Sequence, residues 1–176
     1  MKKILGIFML IAGIVIAVTA SSASFAYFEA DREVHIAIVP DDNELIDLRP
    51  LQPYAYINYN GMLVIDLSTN NGNWQKGFGE GVSPDSLYIF EHIFGVSNDL
   101  WENVTICMNI EYSGSGAVSF FEGDYVGQPG TDELHVTILP GEVVEIGMII
   151  DSDGLDDGDS VDGTLNLDAT LGPCED

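Results

Sequence analysis

The sharpest chemical feature of the sequence is an acidic loop, DSDGLDDGDSVDG, at residues 151–163. Its carboxylates are crowded between glycines, and hard cations such as calcium favour several oxygen ligands on a flexible backbone. The predicted calcium ligands are Asp151, Asp153, Asp156, Asp157 and Asp159. The EF-hand pattern fails, because loop positions six and twelve hold Asp156 and Asp162 where that motif needs Gly and Glu. The alternative is a solvated acidic loop that joins two strands.

Catalytic chemistry finds little support in the sequence. The three histidines, His35, His92 and His135, lie in three separate predicted strands and show no zinc-ligand spacing. There is no Gly-x-Ser-x-Gly nucleophile motif. Pairs of carboxylates carry no weight in a chain with 29 acidic residues. We therefore expect a protein without enzymatic activity and without a cofactor, calcium excepted.

The two cysteines, Cys107 and Cys174, have no Cys-x-x-Cys spacing. A lone pair in an exported protein predicts a disulfide, which would tie the C-terminal tail to the sheet. Closing a loop of about 66 residues would stabilise the fold by roughly 4 kcal/mol. The alternative is a buried thiol at Cys107 beside a frayed tail.

Asn103-Val104-Thr105 is the only Asn-x-Ser/Thr sequence in the chain. It follows a predicted turn, so Asn103 is a candidate for surface glycosylation. The motif is short and also occurs by chance, so both interpretations stay open.

The first 23 residues have the layout of an export signal. Lys2 and Lys3 precede an apolar run from Ile4 to Val18, and small residues follow, with cleavage expected near residue 23 or 26. The run is short for a membrane span, which needs about 20 apolar residues, yet retention as an N-terminal anchor remains the alternative. Residues 24–33 would then form an extended segment and residues 34–176 one domain at the cell surface.

Acidic side chains dominate the charge. Without the leader, three basic residues face 29 acidic ones, a formal charge of −26. Affinity for nucleic acids comes largely from Lys and Arg, so we expect no nucleic-acid binding.

Period-two alternation of apolar residues recurs along the chain and predicts strands separated by Gly and Pro turns. The predicted strands are EVHIAIV from residue 33, the stretch around Tyr54 and Tyr56, and residues 62–67, 86–98, 104–112, 117–123, 134–139, 142–151 and 163–171. Such a series predicts an all-β, jelly-roll-like antiparallel sandwich. The one helical exception expected is a turn over Asn43–Leu48, capped by Asp41 or Asp42.

Several segments carry a family resemblance. The basic apolar leader runs directly into Ala26-Tyr27-Phe28-Glu29, a junction that resembles the camelysin/TasA group of exported filament proteins. The segments ADREVHIAIVPDDNELIDL, NGMLVIDL, GVSPDSLYIFEHIFGVSN and LPGEVVEIGMIIDSDGLDDGDSVDGTLNLDA resemble an archaeal family of exported proteins of unassigned function related to that group. The resemblance implies a jelly-roll subunit that polymerises by donor-strand exchange. Relatives were also described as metalloproteases, which the three histidines do not fit.

On this basis Phe25, Tyr27 and Phe28 are expected to lie on a donor strand that completes the sheet of a neighbouring copy. Main-chain hydrogen bonds would supply affinity, and the aromatic side chains would fix the register. The alternatives are that the segment folds back as an edge strand of its own domain, or that it only spaces the domain from a membrane anchor. The expected function is a subunit of an extracellular filament, pilus or matrix whose partner is the protein itself. The alternative is a monomeric, membrane-anchored module whose acidic loops hold cations or contact a surface-layer partner.

Overall fold

The computed structural model describes residues 9, 34 and 36–175, and these residues form an all-β structure as predicted. The chain divides into two compact units, Met1–Ala37 and Ile38–Asp176, and the described strands all lie in the second. They are β1 (Leu48–Pro50), β2 (Ala55–Ile57), β3 (Leu63–Ile65), β4 (Leu87–Ser97), β5 (Ile106–Gly114), β6 (Val118–Glu122), β7 (Glu133–Ile138), β8 (Val143–Asp151) and β9 (Gly163–Leu171).

Two antiparallel sheets build the sandwich. The larger sheet has the order β1-β4-β8-β6, and the smaller one has the order β7-β5-β9. A bridge between Phe120 and Thr131 links the β6 edge of the larger sheet to the residues just before β7. Strands β2 and β3 form a separate hairpin. The antiparallel sandwich predicted from the alternation is therefore confirmed.

The core lies between the two sheets, and the alternation of each strand shows which face it covers. In β5, Ile106, Met108 and Ile110 are buried, whereas Cys107 and Asn109 lie on the other face. Strand β8 instead is buried on nearly every residue from Val144 to Ile150. A strand buried on both faces needs cover on both sides.

Part of the second cover over β8 comes from β6. The ring of Phe121 lies over Gly147 so closely that a Cβ on that glycine would be 2.2 Å from the ring. Tyr125, in the loop after β6, packs edge-on against Phe121 with 5.4 Å between ring centroids. Glycine is thus required at position 147 because any side chain there would collide with Phe121, and not because the backbone adopts a conformation that only glycine allows.

Strand β4 changes register in its middle. Phe90 pairs with Met148 and Phe94 pairs with Ile146, so three residues of β4 lie opposite the single residue Gly147 of β8. Inside this bulge His92 has a φ of 54°, a left-handed conformation uncommon for residues other than glycine. The bulge re-aims the His92 side chain towards the neighbouring strand and loop.

The strand predicted from residue 33 onward is wrong for the described residues. Val34 and Ile36 to Val39 adopt no regular secondary structure and are exposed. Alternating apolar residues favour a strand only where a neighbouring strand accepts the backbone hydrogen bonds, and none does so at these residues.

The helical turn predicted over Asn43–Leu48 is also wrong. The N–H of Leu48 donates to the carbonyl of Asp41 at 2.7 Å, which closes a wide loop, and Leu48 then enters β1. The Asp41 carboxylate caps no helix but accepts the N–H of Leu63 at 2.8 Å, fixing the β2–β3 hairpin to this loop.

We predict that Phe94→Ala lowers the free energy of unfolding by roughly 3–5 kcal/mol. Phe94 is fully buried, pairs with both Pro50 and Ile146, and packs edge-on against Phe120. Urea unfolding followed by circular dichroism measures the change. Leu87→Ala, at an exposed position of the same strand, is the control and should cost far less. Equal losses for the two variants would contradict the assigned core.

Candidate functional site

An open sheet edge is the feature that a donor strand would require. Among the described residues, no strand pairs with the outer edge of β9, which lies at the end of the smaller sheet. Leu165 and Leu167 point towards the core but are only half-buried, and Leu171, on the same face, is 78% exposed. The edge therefore offers unpaired backbone and incompletely covered apolar side chains. The candidate donor residues Phe25, Tyr27 and Phe28 lie outside the described residues.

The C-terminal tail crosses the end of the smaller sheet. Cys107 of β5 and Cys174 form the predicted disulfide, with their Cα atoms 4.7 Å apart. The N–H of Gly172 donates to the carbonyl of Thr105 at 2.9 Å, and that of Cys174 donates to the hydroxyl of Thr137 in β7 at 3.0 Å. The tail is thereby tied to both β5 and β7.

The acidic loop between β8 and β9 is held by its own side chains. The carboxylate of Asp151 accepts the N–H of Asp153, and that of Asp159 accepts the N–H of Asp156. All five candidate calcium ligands are exposed: Asp151, Asp153, Asp156, Asp157 and Asp159. Within the described residues, no group of three or more His, Cys, Asp or Glu side chains is arranged to hold a metal ion. Calcium binding stays a prediction.

Asn103 is exposed and has a φ of 53°, so its turn presents the side chain to solvent. The turn is fixed by Asn98, which is buried. The Asn98 amide donates to the carbonyls of Val104 at 2.8 Å and Ile138 at 3.1 Å. Glycosylation of Asn103 stays a prediction, and the geometry leaves the side chain accessible.

A charged cluster forms around His92, which sequence reasoning treated only as a polar strand residue. Its Nδ1 contacts the carboxylate of Glu145 in β8, and its Nε2 lies 3.0 Å from the carboxylate of Asp124 in the loop after β6. Carboxylates only accept hydrogen bonds, so satisfying both requires the imidazolium, in which both nitrogens donate. The adjacent Glu91 carboxylate accepts the N–H of Tyr125 at 2.9 Å, a second tie between the bulge and this loop.

The pKa of His92 follows from this cluster. Desolvation lowers it, but the hydrogen bonds and negative charges of Glu145 and Asp124 outweigh that effect, and the pKa is raised above its ordinary value. His135, by contrast, is exposed in β7 and lies 3.3 Å from Glu133 of its own strand. His35 lies outside the described residues. His92 and His135, the two histidines among the described residues, thus contact different carboxylates and form no common cluster.

Arg49 lies in β1 and links the loop before that strand to the residues that follow β4. Its guanidinium lies 3.0 Å from the carboxylate of Asp47 and 3.2 Å from that of Asp99, and the hydroxyl of Ser97 donates to Asp99 at 2.6 Å. In so acidic a chain this single positive charge offsets part of the repulsion between two carboxylates. Sequence reasoning missed the network because its members are separated by about 50 positions.

An aromatic cavity of about 510 Å³ lies at the opposite end of β4, beneath the loop from Ser68 to Val82. Its aromatic lining consists of Tyr54, Trp74, Phe78, Tyr88 and Phe90, and Pro53, Leu67 and Val82 add aliphatic surface. Tyr54 meets Phe90 edge-on at 5.2 Å between ring centroids, and Tyr88 stacks on Phe90 at 6.3 Å. The cavity has the size of small-ligand and side-chain pockets. Only the alternation of Tyr88 and Phe90 along β4 hinted at it in the sequence.

No helix among the described residues is both long and apolar enough to span a bilayer. Residues 38–174 match the model of a family described as a protein of unknown function (DUF1102). No curated protein matches the chain.

We predict that replacing both Cys107 and Cys174 by Ala lowers the free energy of unfolding by up to roughly 4 kcal/mol, since the bridge closes a loop of 67 residues in the unfolded chain. Urea unfolding measures the loss. The unreduced, denatured wild-type protein should show no thiol that reacts with Ellman's reagent. One reactive thiol per chain, or a double variant as stable as the wild type, would contradict the bond.

We also predict a pH dependence carried by His92. Because its pKa is raised on folding, its stabilising contribution is fully present below the unfolded value of about 6.5 and is lost as the pH rises through the folded pKa. The gap in urea midpoint between wild type and His92→Gln should therefore be widest in acid and should close in alkali. His135→Gln is the matched control. A gap that widens as the pH rises would contradict the charged clamp.

Proposed function

The chain belongs to the DUF1102 family, whose description assigns no activity, and we propose that it is a non-enzymatic structural subunit of an extracellular filament or matrix. Residues 1–23 direct export, and residues 24–33 of each subunit add as a strand to the sheet of the next. We further propose kinship with the camelysin/TasA group through an archaeal family of exported proteins. The observation that carries the proposal is the outer edge of β9, with which no strand of the described residues pairs, together with its half-covered leucines.

The dimensions of the edge suit such a partner. Strand β9 has nine residues, which extend over about 30 Å, and the segment from Ser24 to Glu33 has a similar length. An added strand would bond to the unpaired backbone of β9 along its whole length. Apolar side chains on one face of that strand would cover Leu165, Leu167 and Leu171, which the domain leaves partly in water. Edge strands left open in this way template pairing with another chain.

The non-enzymatic part of the proposal rests on the sequence, which lacks a nucleophile motif and any metal-ligand spacing. In the described residues the carboxylates that contact one another's backbone serve to fold the acidic loop. The disulfide favours a location outside the reducing cytosol.

A second candidate function is a monomeric, membrane-anchored module that contacts cations or a surface-layer partner through the acidic loop. The exposure of its aspartates favours this candidate. The two functions differ at the N-terminus of the mature protein. Sequencing that begins near Ser24 supports the filament subunit, whereas an intact Met1 supports the anchored module.

We predict that Tyr27→Glu combined with Phe28→Glu removes the strand contact between subunits and so prevents stable filaments, while the melting temperature of the monomer stays nearly unchanged. Successive residues of a strand face opposite sides, so one of the two charges reaches the buried face in either register. Each buried aromatic contributes on the order of 1.5–3 kcal/mol, so the loss is large. Electron microscopy and sedimentation measure assembly.

The matched control for this prediction is a charge added at an exposed apolar position outside the segment, Val126→Glu, which should polymerise as the wild type does. Normal filaments from the Tyr27→Glu/Phe28→Glu protein would remove the donor-strand assignment.

A further inference from the structure

Trp101 is 91% exposed in the turn between β4 and β5. Hydrogen bonds close the turn: the buried Asn98 amide donates across it to the carbonyl of Val104, and the N–H of Asn103 donates to the carbonyl of Leu100. Leu100 packs against the core, so the turn is anchored from below. Because the backbone of the turn is already ordered, only the indole side chain would be immobilised on binding, and tryptophan is enriched among the residues that dominate interface affinity, which favours its use as a contact residue.

The aromatic cavity offers ring faces rather than hydrogen-bonding groups. The indole N–H of Trp74 donates to the carbonyl of Gly79 at 3.0 Å, and the Tyr88 hydroxyl is bonded to Ser83. The amides of Asn71 and Asn73 both donate to the carbonyl of Pro53. With these polar groups already satisfied inside the protein, the cavity suits an apolar or aromatic side chain.

The turn and the cavity lie at opposite ends of β4. Tyr88 lines the cavity, and the strand continues to Ser97, four residues before Trp101. Nine strand residues extend over roughly 30 Å, so Trp101 cannot reach the cavity of its own domain. A contact between two different patches on identical copies is heterologous and generates rings or open filaments.

Charge also matches the two patches. Glu102 follows Trp101 and is exposed. Lys76 is exposed in the loop over the cavity, between Trp74 and Phe78, and makes no ion pair with any described residue. The other basic side chain in this part of the chain, Arg49, is engaged by Asp47 and Asp99. In a chain with 29 acidic residues, an exposed lysine in the loop that contributes Trp74 and Phe78 to the cavity favours an acidic partner.

We propose that Trp101 of one copy inserts into the aromatic cavity of the next, with Glu102 facing Lys76, as a head-to-tail contact between identical domains. The contact uses none of residues 24–33, and it rests on the proposed function only in taking a second copy as its partner. When each copy repeats this contact with the next, every added subunit extends the filament by one domain length.

The experiment uses the full chain carrying Tyr27→Glu and Phe28→Glu, which removes the proposed donor strand and leaves this contact to be measured. Sedimentation equilibrium over a range of protein concentrations should show residual self-association. Adding Trp101→Ala should weaken it by at least about tenfold. Val126→Ala, at another exposed apolar position, is the matched control and should change nothing.

Charge reversal tests the pairing of the two patches. Lys76→Glu and Glu102→Lys should each weaken association by about two- to fivefold, and the two together should restore it. A mixture of the Trp101→Ala and Phe78→Glu chains should stop at a one-to-one dimer, since each retains one working patch.

The contact is overturned if Trp101→Ala associates as its parent does, if the parent stays monomeric at every concentration, or if the double charge reversal fails to recover binding. These results are independent of the donor strand. Filaments that persist in Tyr27→Glu/Phe28→Glu and disappear with Trp101→Ala would overturn the donor strand and support this contact.

Discussion

Most features of the domain depend on the antiparallel pairing of β4 with β8. The register places Phe94 and Ile146 in the centre of the core, and β1 and β6 attach to the outer edges of this pair. The bulge within it turns His92 towards Glu145 and Asp124, which ties the loop after β6 to the sheet. One end of β4 supplies Tyr88 and Phe90 to the aromatic cavity, and the other end leads into the turn that carries Trp101. A shift of one residue in this pairing would reverse the faces of all these side chains.

The large negative charge constrains how such a domain can associate. A surface with 29 acidic residues repels a copy of itself, and at physiological ionic strength salt screens these charges only beyond about 8 Å. Close contact must therefore rely on main-chain hydrogen bonds, apolar burial or one of the few cations. The open edge of β9 and the aromatic cavity meet the first two conditions, and Lys76 meets the third. Arg49 is already occupied inside the domain by Asp47 and Asp99.

Much of the fold could be predicted from the sequence because period-two alternation reports directly on a half-buried sheet, and β5, with Ile106, Met108 and Ile110 buried, shows it clearly. The pairing of Cys107 with Cys174 followed from their being the only two cysteines. The failures have one physical cause, which is that pairing partners are not local. Val34 and residues 36–39 belong to an alternating segment but pair with no strand of the described part of the chain, and Leu48 pairs with Val96 of β4 instead of joining the predicted helix. The His92 cluster and the cavity also depend on residues brought together by the sheet, and no spacing along the chain records them.

The central claim is that copies of this protein assemble through their own sheets into a surface filament. Electron cryo-microscopy of filaments shed from the cell surface, with the subunit identified by mass spectrometry, tests it most directly. The account predicts that this protein builds the filament and that a strand from one subunit lies against the β9 edge of its neighbour. Surface material that contains the protein only as single domains, or filaments in which the β9 edge of every subunit faces solvent, would contradict it.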